Sequence, residues 1–238
     1  MTLNYEFMLE TFVESLKGIP VTLLITAISL LAALPLGFIM ALVRDGNKHK
    51  IAKAILDVYA SFVRGVPMIV QIMLMYVLFP DILGLIAKAL HLPIDIYGVP
   101  NIAYAILLFV LWTTSFLSET FRAGLHTVNK GQLEAAVSNG MTTFQGYTRI
   151  VIPQVLTNML PVLCTNTNTL IKMTSLCFAM SVIEITAIAK IAAGNNLCYV
   201  EAYLVTALIY IIICFTVENI FKFMERNASK KYKRLAAG

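Results

Sequence analysis

Residues 21–43 contain no charged side chain. A helix crosses the hydrocarbon core of a bilayer with roughly 20 apolar residues, so this run is long enough to span. Residues 102–118 and 202–217 are likewise free of charge, the latter with apolar residues continuing to Phe223. Residues 55–79 form another apolar run, interrupted near its start by Asp57 and Arg64. The remaining stretch, 150–189, is too long for one straight crossing and too short for two with a loop. It is broken by Pro153, Pro161, Lys172 and Glu184. We read it as one crossing preceded by a bent or partly re-entrant segment. Irregular backbone at depth survives only where protein or a water-filled cavity covers it, which places this stretch inside the bundle, near a pathway.

The whole chain, 1–238, is thus expected to be one all-α transmembrane domain of about five spans. Its composition agrees. The chain is 59% hydrophobic and only 13% charged, against about 25% charged for a soluble domain, so it lacks the polar surface to face water all round.

Orientation follows from Lys and Arg near the span ends. Arg44, Lys48, Lys50 and Lys53 fill the first loop; Arg122, Lys130 and Arg149 flank the third. The tail, 224–238, carries Arg226, Lys230, Lys231, Lys233 and Arg234, with Lys222 just before it. The alternate loops hold only Lys88 and Lys190. Five spans with the N-terminus outside and the C-terminus inside satisfy this alternation. The net charge of +5 is therefore a topology signal, and a nucleic-acid partner is not needed to explain it.

The N-terminus does not read as a cleaved signal, because Glu6, Glu10 and Glu14 precede the first apolar run. Residues 1–18 suit an amphipathic helix on the outer surface, with Phe7, Leu9, Phe12, Val13 and Leu16 as its lipid side; a frayed terminus is the alternative. In the outer segment 80–100, residues 82–90 suggest a short surface helix, followed by an irregular stretch marked by Leu92-Pro93 and Gly98-Val99-Pro100. Gly65 and Pro67 suggest a break or tight packing before the second span, and Gln71 needs a polar partner inside. The four cysteines, Cys164, Cys177, Cys198 and Cys214, show no metal or disulfide spacing and read as small packing residues. Of them, only Cys198 falls in an outer loop.

One polar island stands out between the third and fourth spans. Asn129 is placed to cap a helix and Gln132, three residues on, to reach back in a capping box. Ala135 and Ala136 favour helix, and Gly140 is placed to end it in a left-handed turn. A helix of about three turns over 129–140 is expected, with Leu133, Ala136 and Val137 on one face. Pro153 and Pro161 mark where the chain turns and bends on re-entry. A short stiff helix carried between two spans acts as a lever if it sits in a groove of a soluble partner. The alternative is a capped interfacial helix with no partner.

The run Gly131-Gln132, Glu134-Ala135-Ala136, Gly140-Met141, Ile150 and Pro153 resembles the EAA signature of ATP-binding-cassette importer permeases, in their polar amino-acid branch. Ile152 stands where the family usually has Leu. Other segments are similar to that branch: Phe62-Val63-Arg64-Gly65-Val66-Pro67 with Gln71, Ser118-Glu119-Thr120-Phe121-Arg122, Lys172-Met173-Thr174-Ser175-Leu176, and Glu184. Met173 replaces the family's Asp, and Thr165 its Asn, with Asn166 one position later. The resemblance runs from about residue 18 to 223.

The resemblance implies a fold like that of type I importer permeases, in the bacterial plasma membrane. It implies a non-catalytic subunit paired with a second permease, identical or similar, and with two cytoplasmic ATPases that bind ATP and Mg. An extracytoplasmic binding protein would deliver substrate. Residues 129–140 would be the coupling helix, with Gln132, Glu134, Ala135, Ala136 and Gly140 meeting the ATPase. The chain itself has no phosphate-binding G-x-x-x-x-G-K-[ST] loop and needs no cofactor of its own.

Polar residues inside spans are costly and tend to face a cavity. Gln71, Thr114, Ser115, Ser118, Glu119, Asn166, Asn168 and Lys172 are the candidate substrate path. Glu119 and Lys172 suit the two charged ends of an amino acid. The alternatives are helix-to-helix hydrogen bonding for the Ser and Thr residues, pairing of Glu119 with Arg122, and neutralisation of Glu184 or of a helix C-terminus by Lys172. Little acid falls within the spans, which favours a polar neutral amino acid such as glutamine or cystine. An ion-gradient carrier would need matching halves, and no internal repeat is found. A membrane scaffold would leave the buried Glu119, Asn166, Asn168 and Lys172 unexplained.

Overall fold

The structure, a computed structural model, describes residues 3–46, 49–91, 95–96 and 98–236. Lys48 and Leu92-Pro93 lie outside the described residues, as do the side chains of Lys230, Lys231, Lys233 and Arg234. Helix α1 spans Tyr5–Leu16, α2 Ile19–Asp45, α3 Lys50–Gly65, α4 Met68–Ala89 and α5 Asn101–Thr127. Then follow α6, Lys130–Ser138, and α7, Thr143–Gly146. A π-helical turn, Tyr147–Val151, leads into α8, Ile152–Met173. A 3₁₀ segment, Thr174–Met180, precedes α9, Ile185–Asn196, and α10, Tyr199–Ala236. Among the described residues there is no strand.

Five stretches are long and apolar enough to cross a bilayer: Ile19–Asp45, Met68–Ala89, Asn101–Thr127, Thr143–Met180 and Tyr199–Ala228. The expected five spans are therefore present, with three corrections. First, the run 55–79 is two helices. Val66 is extended (φ −97°, ψ 130°) ahead of Pro67, because the proline ring disfavours helical backbone at the preceding residue. The Gln71 amide spans the break, donating to the carbonyls of Val63 (2.8 Å) and Val66 (2.7 Å). The span proper is α4; Asp57 and Arg64 belong to α3.

Second, residues 82–90 do not form a separate surface helix. Helix α4 runs through Pro80 to Ala89 without interruption, so these residues are its last turns. Third, the irregular backbone of the fourth span lies on both sides of α8, in the π turn before it and in the 3₁₀ segment after it. Pro153 opens α8 and Pro161 lies within it. The helix first tightens after Met173, and the chain turns at Ser181, which is left-handed (φ 57°). The π turn and the 3₁₀ segment both lie inside the stretch Thr143–Met180 that is long and apolar enough to cross.

The bundle packs closely where small residues let helices meet. A methyl group on Gly37 of α2 would lie 2.8 Å from the Leu117 Cβ of α5, and one on Gly124 would lie 2.9 Å from Met159 of α8. One apolar core gathers Ile25, Ile72, Phe109, Leu170 and Met180; a second gathers Ala33, Leu117, Phe121, Val155 and Met159. Leu31, Ile211 and Phe215 stay exposed on the outside, as expected of helices whose outer faces meet lipid.

Helix α1 turns only part of its apolar surface outward. Phe7 packs on Ala189, Ala193 and Ala202, and Phe12 packs beside Ile185, Val205 and Ile209. Leu9, Val13 and Leu16 remain exposed. The expected lipid face thus loses Phe7 and Phe12 to α9 and α10.

Candidate functional site

Helix α6 hangs beyond the end of α5, held by local caps at both ends. The Asn129 side chain accepts from the Gly131 amide at 2.9 Å. The expected return bond from Gln132 is not made: its carbonyl oxygen accepts instead from the Gln154 side chain on α8. The reciprocal capping box lies one helix later, between Thr142 and Gln145.

At the other end Gly140 is left-handed (φ +86°). Its amide donates to the Val137 carbonyl at 3.0 Å, and the Met141 amide donates to Ala136 at 3.1 Å. This pair of bonds ends a helix when the residue after the cap is glycine.

Helix α6 is about two and a half turns long, a little shorter than expected. Leu133 and Ala136 face Gly146, where a methyl would meet the Leu133 side chain at 2.6 Å. Val137, expected on the same face, is exposed. Gln132, Glu134 and Ala135 are also exposed, as is Phe144 nearby. The outward side of α6 is therefore open. A cavity of about 390 Å³ separates α6 from the ends of α2 and α5, lined in part by Asp45, His126, Leu133 and Tyr147.

The polar residues of the spans divide among separate places. Thr114 and Ser118 share one face of α5, one turn apart, as their spacing requires. That face lies on Gly37 of α2, with the Thr114 carbonyl and the Ser118 amide each 3.3 Å from where a methyl would be. Ser115 and Ser118 are fully buried. The Ser118 hydroxyl donates to the Ser115 carbonyl (2.9 Å) and accepts from Arg44 (2.9 Å). Asn166 donates to the Thr120 hydroxyl of α5 at 3.1 Å.

Asn168 and Lys172, one turn apart on α8, line a cavity of about 380 Å³ between α8 and α10. Thr165 and Thr169 share it. From α10 come Glu218, Phe221, Lys222 and Glu225. Lys222 is paired with Glu218 at 2.7 Å. Both signs of charge therefore meet in one space. The sequence reading missed Glu218 and Glu225, because it followed the charge-free part of the span. Their seven-residue spacing, two helical turns, was the available signal.

Glu119 lies elsewhere. Its carboxylate is 2.7 Å from Arg44, 3.2 Å from Arg64 and 3.8 Å from Arg122. Arg44, which the sequence suggested only as an orientation signal, is 3% exposed and also bonds Asp57 of α3 at 2.7 Å. Glu184 is fully buried at the head of α9. It accepts from the amides of Thr186 (2.9 Å) and Ala187 (2.8 Å) and from the Tyr210 hydroxyl (2.9 Å). Lys172 is not among its partners. Burial, the largest influence, pushes the Glu184 carboxyl above its ordinary value, partly offset by these hydrogen bonds.

Residues 33–230 match the family described as "Binding-protein-dependent transport system inner membrane component". The chain is 35% identical over 232 residues to a probable amino-acid permease, YxeN, of Bacillus subtilis (strain 168), covering 98% of this chain and 99% of that one. It is 31% identical over 229 residues to the L-cystine transport system permease TcyL of the same organism, covering 96% and 93%. The crystal structure of an amino acid ABC transporter with histidines superposes with a TM-score of 0.79 at 25% identity, over 95% of this chain and 100% of that one.

Proposed function

Since the chain belongs to the family of binding-protein-dependent transport system inner membrane components, in its amino-acid ABC permease branch, we propose that it forms one half of an ATP-driven path for a polar amino acid. In this reading α6 is the coupling helix. Its exposed side, with Gln132, Glu134 and Ala135, docks on a cytoplasmic ATPase that binds ATP and Mg. A second permease copy or a similar chain completes the path, and an extracytoplasmic binding protein supplies the substrate. The N-terminus is outside and the C-terminus cytoplasmic.

The observation that carries the substrate assignment is the cavity between α8 and α10. It offers Lys172 beside Asn168 on one wall and Glu218 and Glu225 on the other. A free amino acid carries one positive and one negative group, and a site with both signs within a concave space matches that pattern. Lys172 faces the carboxylate, while Glu225 faces the ammonium; Glu218 is already paired with Lys222 on the same wall. Thr165 and Thr169 supply hydroxyls for a polar side chain such as that of glutamine, or for cystine. The acid from α10 offsets the loss of Asp at Met173, so cationic substrates are not disfavoured on charge.

The test is purification of the subunit from its native membrane in mild detergent, followed by reconstitution of what accompanies it. We expect an ATPase in equal amount and uptake that requires ATP. Lys172→Gln raises KM for the amino acid about tenfold, the loss of one charge-assisted bond, with the complex intact. A folded chain recovered without an ATPase would overturn the coupling assignment. An unchanged KM in Lys172→Gln would remove the cavity from the path.

A further inference from the structure

Arg44 ends α2 with its guanidinium buried, and each of its three nitrogens has a partner on another helix. Nε donates to Asp57 of α3 at 2.7 Å, Nη1 to the Ser118 hydroxyl of α5 at 2.9 Å, and Nη2 to Glu119 of α5 at 2.7 Å. A buried cation is costly unless it is paired and fully hydrogen-bonded. Here that condition is met only while α2, α3 and α5 keep their present places.

We propose that Arg44 is a positioning residue that clamps α2, α3 and α5 into one unit, and that Glu119 serves this clamp rather than the substrate. The proposal rests on the permease reading above for its effect on transport. The Glu119 carboxylate already faces three guanidinium groups, those of Arg44, Arg64 and Arg122. A substrate ammonium would have to displace them. The Ser118 hydroxyl is equally committed, donating to Ser115 and accepting from Arg44.

The network continues along α5 toward α6. Arg122 lies 3.8 Å from Asp45, and His126 lies 2.8 Å from the same carboxylate. Three arginines (44, 64 and 122) thus stand with three acids (Asp45, Asp57 and Glu119). His126 is three residues before Asn129, the cap of α6. A displacement of α6 is therefore delivered to α5, and through Arg44 to α2 and α3. Helix α3 leads across Val66-Pro67 into α4, so the clamp links the coupling helix to a span that α6 does not adjoin in sequence.

Hydrogen–deuterium exchange of the assembled transporter in lipid nanodiscs reads the clamp directly. In Arg44→Met, exchange of the α3 amides rises about tenfold while that of α9, outside the network, is unchanged. Arg44→Lys keeps the charge with one nitrogen in place of three and gives a smaller rise; it decides the point if Arg44→Met does not fold. Unchanged α3 exchange in either folded variant overturns the clamp.

Amino-acid uptake into proteoliposomes separates the two roles of Glu119. Glu119→Gln is expected to keep KM within about twofold and to lower kcat by about tenfold. A tenfold higher KM at unchanged kcat overturns the proposal and returns Glu119 to the substrate. A wild-type assembly that hydrolyses ATP but takes up no amino acid would sink the permease reading alone, since the exchange measurement still decides the clamp.

Discussion

The Glu184 carboxylate at the head of α9 is bonded by the Tyr210 hydroxyl of α10 at 2.9 Å. Tyr210 lies against α1, joining Ile185, Met8 and Phe12 in one cluster. Tyr210→Phe removes one of three donors and is expected to cost about 1–2 kcal/mol. Glu184→Ala leaves the Thr186 and Ala187 amides without a cap and should cost about 3 kcal/mol, combining the lost cap with buried unpaired groups. Thermal unfolding in detergent checks the order. Equal losses would mean that Glu184 does not cap α9.

The same carboxyl makes stability depend on pH. Burial raises its folded pKa above the ordinary 4.5. A raised acid contributes stability that is fully present below its unfolded pKa and lost as pH rises through its folded value. The melting temperature should therefore fall as pH rises from about 4. Glu184→Gln, which cannot ionise, should flatten that part of the curve. A wild-type curve that instead rises through this range would show that the three hydrogen bonds outweigh burial.

Gly18 joins α1 to α2 directly against the start of α9. An added methyl would sit 2.4 Å from the Ile185 nitrogen and 2.6 Å from the Glu184 carbonyl carbon. These are backbone atoms and cannot swing aside, so Gly18→Ala should cost about 2–3 kcal/mol. Gly65 has nothing within 4 Å of the same position, and Gly65→Ala should change stability by less than about 0.5 kcal/mol. Melting of the two variants side by side distinguishes this contact from a general intolerance of larger residues.

Gly140 presents the opposite case, with open space around it but a left-handed backbone (φ +86°). The cost of Gly140→Ala is then conformational, about 1–2 kcal/mol. Gly140→Asn should recover part of it, since Asn tolerates that region better. ATP-driven uptake should follow the same order, Gly above Asn above Ala. An Ala variant as active as the parent would mean that the geometry at the end of α6 is not transmitted to transport.

Orientation is open to labelling in whole cells. A membrane-impermeant maleimide should modify Cys198, which is partly exposed between α9 and α10, and spare the buried Cys164 and Cys177. A cysteine placed at exposed position 134 by Glu134→Cys should react only after the membrane is opened. The reverse pattern would invert the topology.

The five spans were legible in the amino-acid order, because the free energy of placing a helix in lipid is nearly a sum over its own residues. The α6 turn at Gly140 was legible for the same reason: its bonds reach no further than five residues. The bend misjudged in the fourth span shows the limit of local reasoning. Prolines 153 and 161 were accommodated at or inside a helix, while the irregular backbone fell on either side of it, in the π turn before Ile152 and after Met173, where no strong breaker stands. The pairing of Glu119 with Arg122, three residues on, was open to such reasoning; the distant partners, Arg44 and Arg64 on Glu119 and Tyr210 on Glu184, were not. Arg44 and Glu119 are 75 residues apart in sequence and 2.7 Å apart in space. Which buried charges meet depends on how the helices pack and rotate against one another, and many rotations satisfy the same apolar pattern. Only the tertiary structure decided that Lys172 and Glu218 share a cavity, while Glu119 is enclosed by arginines.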